Sequence, residues 1–493
     1  MIGFIRKNYL YLIIIFASIL FSLSTLMTQS ILLDEAQSLW VSTKSVQTIL
    51  YFDAQDVLVP LYELLLHFWI QIFGNTIIAA RSLSFLFFLA TLPFLYQLGK
   101  EASDKKTAMI TVTLFALSPF ILWYSSEARM YSLFAFIATI NHIFFLRYMR
   151  SSGKHSKFGY IVSTIVGLYT HYFFIFLLFT QFIFLLLRWW IKKVKENLHL
   201  LFMHMLMLFV SGLFFLPWAY YFISLGAAAN TQPLIPPPTS YNLIQSVVNF
   251  LFGFQSNAIQ SILISLWPIF ILGLFIIFTK NERQNVASIN YFAFATFFPI
   301  IIIFLGSFIK PIFLSRYLIL VTPTLFFLLA WTISRNRNRI AKVVLGTLFI
   351  AMFVSLVYQN ISITTPVKKN YKGVASYLEQ QATPSDIIAV SAPFTVYPIE
   401  YSYQGNTKIV TIPLWNRFAQ GAIPPFTQAK LVSQITSYQK QYIHIFVVLS
   451  YNQGYNTDIQ QYMDTHYKRV ANIIFSPGLT VSEYQLRYLG NNK

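Results

Sequence analysis

The sequence predicts an α-helical polytopic membrane protein with a small α/β domain at its C-terminal end. Two observations predict this fold class. Of the 493 residues, 56% are hydrophobic and only 10% are charged, whereas a soluble protein of this length carries about 25% charged residues. Apolar segments of about 20 residues, long enough to cross a bilayer as helices, recur up to position 360 and then stop.

About eleven of these apolar segments are predicted to be transmembrane helices. They lie near residues 8–29, 79–98, 107–124, 130–148, 158–172, 173–190, 200–222, 259–279, 286–306, 317–333 and 343–360. The first is longer than the apolar region of a signal peptide, and no small-residue cleavage site precedes Asp34. We therefore expect it to be retained as a membrane helix.

The formal net charge of +19 is explained by membrane topology rather than by nucleic-acid binding. If Arg6 and Lys7 are cytoplasmic, nineteen Lys and Arg residues lie on the cytoplasmic side and five on the other side before residue 361. Because cytoplasmic loops carry the excess of Lys and Arg, we expect a cytoplasmic N-terminus. After eleven crossings of the cell membrane, the C-terminal domain is then extracytoplasmic.

The chain is predicted to consist of a membrane domain, residues 1–360, and an extracytoplasmic α/β domain, residues 361–493. In the second domain, strand and helix patterns alternate, which indicates a mixed sheet with helices. We expect helices near 371–381 and 457–467 and strands near 386–391 and 443–450. The chain has no cysteine, which excludes disulfides, thiolate metal sites and a cysteine nucleophile.

The first outer loop, residues 30–78, contains an amphipathic pattern over 61–74. Its apolar residues fall at helical spacing, and Glu63, His67 and Gln71 form the opposite stripe. This pattern is typical of a helix in the membrane interface. We interpret the stripe as its water-facing side, with Glu63 and His67 as alternative site-lining residues. The second outer loop, 223–258, is rich in proline and is not expected to be regular helix.

Asp34 and Glu35 stand side by side at the start of the first outer loop, in a chain with only 16 Asp and Glu residues. They anchor a helix end or take part in chemistry. Adjacent residues on a helix point about 100° apart, so the two acids are not expected to act on one atom. We expect one to face a reaction and the other to orient the helix or loop. A single carboxylate suits a displacement in which a phosphate leaves without a general acid.

The basic residues predicted on the outer face are few, and Arg side chains bind phosphate in a bidentate manner. They can also simply extend to lipid headgroups. The candidates for phosphate binding are Arg81, Arg129, Lys310 and Arg316. Glu127, Tyr131 and His171 fall on the same predicted face and are candidates for lining a site.

Several segments resemble, in their order along the chain, the GT-C membrane glycosyltransferases of the family 39 type. This group includes protein O-mannosyltransferases and the bacterial lipid A aminoarabinose transferase. The segments are "LLDEAQSLW", "VPLYELLLHFWIQIFG", "ARSLSFLFFLATLPFLYQLGK", "ALSPFILWYSSEARMYSLF", "YTHYFF" and "FLSRYLILVTPTL". The resemblance covers about residues 1–360, and the outer domain resembles the variable extension of bacterial relatives.

The resemblance implies inverting transfer of a sugar from a polyprenyl phosphate to an acceptor hydroxyl. It implies that Asp34 is the general base or a carboxylate that orients the acceptor, with Glu35 completing the acidic pair. It also makes Arg81, Arg129 and Arg316 candidates for binding the lipid phosphate, with Lys310 as a further candidate. No nucleotide or other cofactor is expected, and a divalent metal remains open. The acceptor is a glycan, a lipid or a protein, although the chain lacks the β-trefoil domain of eukaryotic protein O-mannosyltransferases.

Two alternatives remain from the residues themselves. One is a ligase or polymerase of lipid-diphosphate-linked glycans, which also uses basic residues but does not require an acidic pair in the first outer loop. The other is a non-enzymatic flippase or transporter of lipid-linked sugars. Transporters tend to place charges inside helices at mid-membrane depth, whereas here the candidates collect on one predicted face.

Overall fold

The computed structural model describes residues 2–226, 236–265, 286–335, 339–362, 368–418 and 423–487. The chain divides into two compact units. The first comprises Met1–Met27 and Ser45–Pro366, and the second comprises Thr28–Lys44 and Val367–Lys493. The beginning of the predicted first outer loop therefore groups with the C-terminal region, whereas the sequence assigned all of residues 30–78 to the first domain.

The first unit is helical throughout the residues that the structure describes. Up to the second outer loop its helices are α1 (Ile2–Thr28), α3 (Val46–Gln55), α4 (Leu61–Phe73), α5 (Ile77–Ala102), α6 (Lys105–Leu117), α7 (Pro119–Ser125), α8 (Tyr131–Ser151), α9 (Lys154–Thr170), α10 (Phe174–Lys192) and α11 (Lys195–Ser224). They are followed by α12 (Ser240–Phe252), α13 (Asn257–Ser265), α14 (Val286–Gly306), a 3₁₀ helix (Ser315–Val321), α15 (Thr322–Arg335) and α16 (Arg339–Ile361).

Eight helical segments in the described part of the chain are long and apolar enough to cross a membrane. They are Tyr9–Thr28, Ile77–Ala102, Tyr131–Ser151, Phe174–Ile191, Lys195–Ser224, Ser288–Gly306, Ser315–Arg335 and Lys342–Ile361. Two bent helix pairs, α6 with α7 and α12 with α13, raise the number to ten if each is one span. The prediction of a multi-pass helical protein is confirmed. The span predicted at 259–279 is described only up to Ser265, and the rest of it lies outside the described residues.

The segment predicted as one helix over 107–124 is two helices that meet at a bend of 64°. Pro119 is the first residue of α7 and has no N–H to continue the hydrogen-bond ladder of α6. The Ser118 hydroxyl accepts the N–H of Ile121, at 3.2 Å, and so caps the new helix. The same hydroxyl donates to the carbonyl of Phe250 in α12, at 2.6 Å, which fixes the bend against a neighbour.

A buried polar network joins several membrane helices of the first unit. The Gln181 amide of α10 donates to Asn141 Oδ1 of α8, at 2.8 Å, and to the Tyr291 hydroxyl of α14, at 3.0 Å. The Tyr160 hydroxyl of α9 donates to Gln181 Oε1, at 2.6 Å. All four side chains are fully buried, so each hydrogen bond satisfies a group that cannot reach water.

The second unit contains a five-stranded sheet. Its strands are β1 (Ile387–Ser391), β2 (Lys408–Thr411), β3 (His444–Ser450), β4 (Lys468–Ser476) and β5 (Leu479–Gln485). The order is β2-β1-β3-β5-β4, with β1 parallel to β2 and β3, and β5 antiparallel to β3 and β4. This confirms the predicted small α/β sheet, while β2, β4 and β5 were not predicted from the sequence.

Helices cover both faces of this sheet, which explains why β1 and β3 are continuous apolar runs. The helices of the unit are α2 (Leu33–Ser42), α17 (Tyr371–Gln381), α18 (Val396–Ser402), α19 (Gln428–Gln439) and α20 (Asn456–His466). One core packs Ile387 and Ile445 against α19 and α20. The other packs Ile388 and Phe446 against α17 and α18. The predicted helices at 371–381 and 457–467 are confirmed within one residue.

We expect Gln181→Leu to lower the free energy of unfolding by about 1–3 kcal/mol, because Asn141, Tyr160 and Tyr291 each lose a buried partner. Denaturant unfolding of the purified protein in detergent measures this change. Gln71→Leu is the matched control, since Gln71 is exposed and bonds only to His67 in its own helix. Equal losses in the two variants would contradict the structural role of the network.

Candidate active site

Several polar residues of the first unit converge where its helices are joined by short turns. Arg129 lies in the turn between α7 and α8, and His171 lies between α9 and α10. Asp53 and Glu63 come from the short helices α3 and α4, and Arg316 lies in the 3₁₀ helix that precedes α15. Short connections hold these side chains on rigid helix ends rather than on long loops.

Glu63 and Arg129 form a buried ion pair. Arg129 Nη1 lies 3.8 Å from Glu63 Oε1, and the two side chains are 9% and 2% exposed. The Tyr62 hydroxyl lies 2.7 Å from Ser84 Oγ of α5, and Ser84 Oγ donates to the carbonyl of Arg129, at 3.0 Å. These contacts anchor the start of α4 to the turn that carries Arg129.

The interpretation of Glu63, His67 and Gln71 as a water-facing stripe is wrong for Glu63. The ion pair with Arg129 draws Glu63 inside, and the apolar side chains of Phe68 and Ile72 are the exposed ones, at 54% and 74%. His67 is half-buried and lies 2.7 Å from the exposed Gln71 amide. Apolar exposure on α4 agrees with a helix in contact with lipid.

Asp53 is a buried acid that the sequence analysis missed. Its side chain is 1% exposed, and its Oδ2 atom has no hydrogen-bond partner among the described residues. Burial raises the pKa of Asp53 well above its usual value, the carboxylates of Glu63 and Asp56 raise it further, and Arg129 partly offsets them. The available signal was its position one helical turn after Ile49 on the buried face of α3.

His171 is an uncharged imidazole beside two guanidinium groups. Burial lowers its pKa to about 3, and the charges of Arg129 and Arg316 act in the same direction. The ring stacks on Phe134, with centroids 4.8 Å apart, and lies 6.4 Å from the ring of Tyr131. Nδ1 accepts the N–H of Phe173, at 3.1 Å, so the ring proton is on Nε2.

The other predicted residues of the first unit have different surroundings. Arg81 is fully buried, and its Nη1 donates to the carbonyl of Leu26 at the end of α1, at 3.0 Å, which is a structural contact. Lys310 is exposed after α14. Glu127 is 5% exposed, and its carbonyl accepts the N–H of Arg129, at 2.8 Å. The structure therefore brings Arg129, His171 and Arg316 together with Tyr131, and it adds Glu63 and Asp53.

Asp34 and Glu35 belong to the second unit, at the N-terminus of α2. Glu35 is fully buried, and its Oε2 accepts the N–H of Leu32, at 2.9 Å, which caps the helix. Asp34 is partly exposed. The two acids therefore have different surroundings: Glu35 caps the start of the helix, and Asp34 is partly exposed.

Among the residues that the structure describes, no three His, Asp or Glu side chains are grouped closely enough to hold a metal ion. The polar groups of the first unit instead combine two guanidiniums with a neutral imidazole. Guanidiniums and an N–H donor are suited to binding an anion such as a phosphate.

Part of the sequence and the overall fold are similar to those of known proteins. Residues 59–225, about a third of the chain, match the family model described as dolichyl-phosphate-mannose-protein mannosyltransferase. The fold matches that of ArnT from Cupriavidus metallidurans in the apo state, with a TM-score of 0.66 and 12% identity over 97% of this chain and 98% of that chain. The chain therefore has the fold of ArnT, and its residues 59–225 are similar to this mannosyltransferase family.

Two further matches give the same fold. ArnT from Cupriavidus metallidurans bound to undecaprenyl phosphate has a TM-score of 0.63 and 11% identity, over 98% of this chain and 100% of that chain. The apo oligosaccharyltransferase of Archaeoglobus fulgidus has a TM-score of 0.53 and 12% identity, over 90% of this chain and 70% of that chain. No curated protein sequence matches this chain.

We expect Asp53→Asn to gain stability relative to the wild type as the pH rises. With its raised pKa, Asp53 keeps its proton in the folded chain at pH values where the unfolded chain has lost it, so folding becomes less favourable by about 1.4 kcal/mol per pH unit. Asn carries no such proton. Melting temperatures compared between about pH 5 and pH 8 measure the difference. The control is Asp458→Asn, at an exposed position in the second unit. A difference in melting temperature between Asp53→Asn and the wild type that does not change with pH would contradict the buried neutral acid.

Proposed function

We propose that this protein is a membrane glycosyltransferase that moves a sugar from a polyprenyl-phosphate donor to an acceptor hydroxyl at the outer face of the cell membrane, with inversion at the anomeric carbon. The observation that carries the proposal is the position of two guanidiniums near the buried His171. Arg316 Cζ lies 5.4 Å from the centroid of the Tyr317 ring, which is itself 5.3 Å from the His171 ring, and the charge of Arg129 also acts on His171. Two like charges beside one uncharged ring favour an anionic ligand between or near them. The match to a structure of ArnT bound to undecaprenyl phosphate supports a lipid phosphate as that anion.

In the proposed reaction, Asp34 is the general base. The acceptor hydroxyl gives its proton to the Asp34 carboxylate while its oxygen forms a bond to the anomeric carbon. The bond between that carbon and the phosphate oxygen breaks, and its electron pair leaves with the polyprenyl phosphate. Attack opposite the leaving group inverts the configuration. Glu35 keeps the start of α2 in place through its contact with the Leu32 N–H.

Arg129 and Arg316 stabilise the charge that develops on the leaving phosphate. His171 stays neutral because of its lowered pKa, so it acts as a hydrogen-bond donor through Nε2 and not as a charge. Glu63 holds Arg129 in place from the side of α4. Arg81 and Lys310 remain candidates for contacts to the donor or to lipid headgroups, and Glu127, Tyr131 and His67 for lining the site.

Neither alternative has a specific observation in its favour. A diphosphate-dependent glycan ligase or polymerase would use the same cations, and a flippase would move the donor without cleaving it. The ion pair and the imidazole lie in turns and short helices rather than within the eight long spans, which favours chemistry at a membrane face. The acceptor is a glycan, a lipid or a protein.

Purified protein in nanodiscs, incubated with a panel of polyprenyl-phosphate sugars and acceptors, tests this proposal. We expect Asp34→Asn to lower the rate of transfer at least about 100-fold, because the acceptor proton has no base, while donor binding stays within about twofold. The matched control is Asp56→Asn, an exposed acid outside the proposed chemistry. Near-normal turnover of Asp34→Asn would remove Asp34 from the catalytic role.

We expect Arg316→Ala to weaken binding of the donor about tenfold or more, because a charge-assisted contact to phosphate is lost. Binding is measured by titration with a polyprenyl phosphate, and Arg316→Lys should retain part of the affinity. Lys105→Ala, at an exposed basic position at the start of α6, should leave it unchanged. Equal affinities for Arg316→Ala and the wild type would contradict a phosphate-binding role for Arg316.

A further inference from the structure

The second unit contains a cluster of aromatic and charged side chains around Trp40, which we call the Trp40 clamp. Trp40 lies near the C-terminal end of α2, six residues after Asp34. The clamp consists of Trp40 and the side chains that surround its ring: Lys44, Tyr397, Arg417 and Phe418.

Arg417 is the centre of the clamp. Its Cζ atom lies 4.4 Å from the centroid of the Trp40 ring, 5.2 Å from that of Tyr397 and 5.8 Å from that of Phe418. These distances are within the range of cation–π attraction, which is strongest for a Trp ring. The buried Nη1 atom has no hydrogen-bond partner among the described residues, so the aromatic faces are the contacts that compensate for its burial.

Glu400 fixes the direction of this guanidinium. Arg417 Nη2 lies 2.9 Å from Glu400 Oε1 and 2.7 Å from Oε2, and the Arg417 side chain is 17% exposed. Glu400 and Tyr397 are three residues apart in α18 and therefore lie on one face of that helix. A single face of α18 thus provides both the anion that holds Arg417 and an aromatic ring, 5.3 Å from that of Trp40.

The clamp attaches α2 to the α/β sheet. α18 follows β1 after a short 3₁₀ turn (Pro393–Thr395) and packs with Ile399 in the core beside Ile388 and Phe446. α2 has only ten residues, and a helix of this length is not stable without tertiary contacts. Glu35 caps its first turn and Trp40 is held in its last, so both ends of the helix that carries Asp34 are restrained.

We propose that the C-terminal unit is a positioning device for the Asp34-bearing helix, and that Arg417 is its positioning residue through Trp40. This inference rests on the proposed role of Asp34 as the base. Arg417 does not touch the reacting atoms; it fixes the orientation of α2 and thereby the direction in which the Asp34 carboxylate points. The second unit thus contributes to catalysis by orienting the proposed base, although it contains no active site of its own among the described residues.

Hydrogen exchange of the full-length protein in nanodiscs tests the clamp independently of activity. In Arg417→Ala, the backbone amides of α2 should exchange about tenfold faster or more, while those of β1 and β3 keep their protection. The matched control is Arg469→Ala, because Arg469 forms an ion pair with Asp464 in the same unit, at 3.1 Å, and is no part of the clamp. Unchanged exchange of α2 in Arg417→Ala would overturn the proposal.

Steady-state kinetics with the donor and acceptor that the wild type uses tests the consequence for catalysis. We expect kcat of Arg417→Ala to fall about 10–100-fold with the donor KM within about twofold, since a misdirected base affects the chemical step more than lipid binding. Arg417→Lys keeps a charge for Glu400 but loses the planar stacking, so partial rescue is expected. Faster exchange of α2 with an unchanged kcat would overturn the positioning role.

If Arg417→Ala does not fold, the amides of β1 and β3 lose their protection against exchange. A second variant is then used in its place. Glu400→Gln leaves Arg417 in place but weakens its anchor, and the same two readouts then decide the proposal. If the wild type consumes no polyprenyl-phosphate sugar, the proposed function fails, and exchange of α2 still decides whether the clamp holds the helix. If the wild type is active and the clamp variants are indistinguishable from it, only the positioning proposal fails.

Discussion

The buried ion pair between Glu63 and Arg129 is the interaction on which the arrangement of the first unit's polar groups depends. Taking two charges out of water is costly, and removing one partner of such a pair typically costs about 3–5 kcal/mol. The pair therefore holds α4 and the turn before α8 in one relative position. A different orientation of the Arg129 side chain would leave the buried Glu63 carboxylate without this counter-charge. Asp53, next to them, avoids a second unpaired charge by keeping its proton.

The segment of residues 30–78 is held by contacts within each of the two units. Its second part, α3 and α4, is held by the Glu63–Arg129 pair and by the contact of Tyr62 with Ser84. Its first part, α2, is held by the cap of Glu35 and by the Trp40 clamp. Rigid support of this kind is what a transferase needs, because a base and a leaving-group site lose their effect when they are displaced by even 1 Å or so.

The sequence predicted those parts of the fold that depend on local patterns. Apolar segments of bilayer length gave the membrane helices, because backbone groups in lipid must be satisfied within the helix. The continuous apolar runs gave β1 and β3, and the 100° rotation between neighbouring residues on a helix agrees with the different surroundings of Asp34 and Glu35. Strand β4 was missed because its side chains are exposed or half-buried and form no continuous buried run. Strand β2 was missed because four residues are too few to give a pattern.

The sequence did not predict contacts between distant residues. Glu63, His67 and Gln71 were predicted to face water because no residue near them in the sequence indicates an ion pair. The partner of Glu63 is Arg129, which lies 66 residues later. Asp53 was missed because a lone acid in a short helix has no pattern of its own. The Trp40 clamp joins residues more than 350 positions apart, and only the fold brings them together.

The central claim is the proposal that this protein is a glycosyltransferase that cleaves a polyprenyl-phosphate sugar with inversion. The most direct measurement follows a donor that carries ¹³C at the anomeric carbon by NMR, with the purified protein in nanodiscs and the acceptor present. The account predicts that the donor signal disappears, that the product has the opposite anomeric configuration, and that one polyprenyl monophosphate is released for each sugar transferred. Retention of configuration, a requirement for a diphosphate donor, or movement of the donor across the bilayer without cleavage would contradict it.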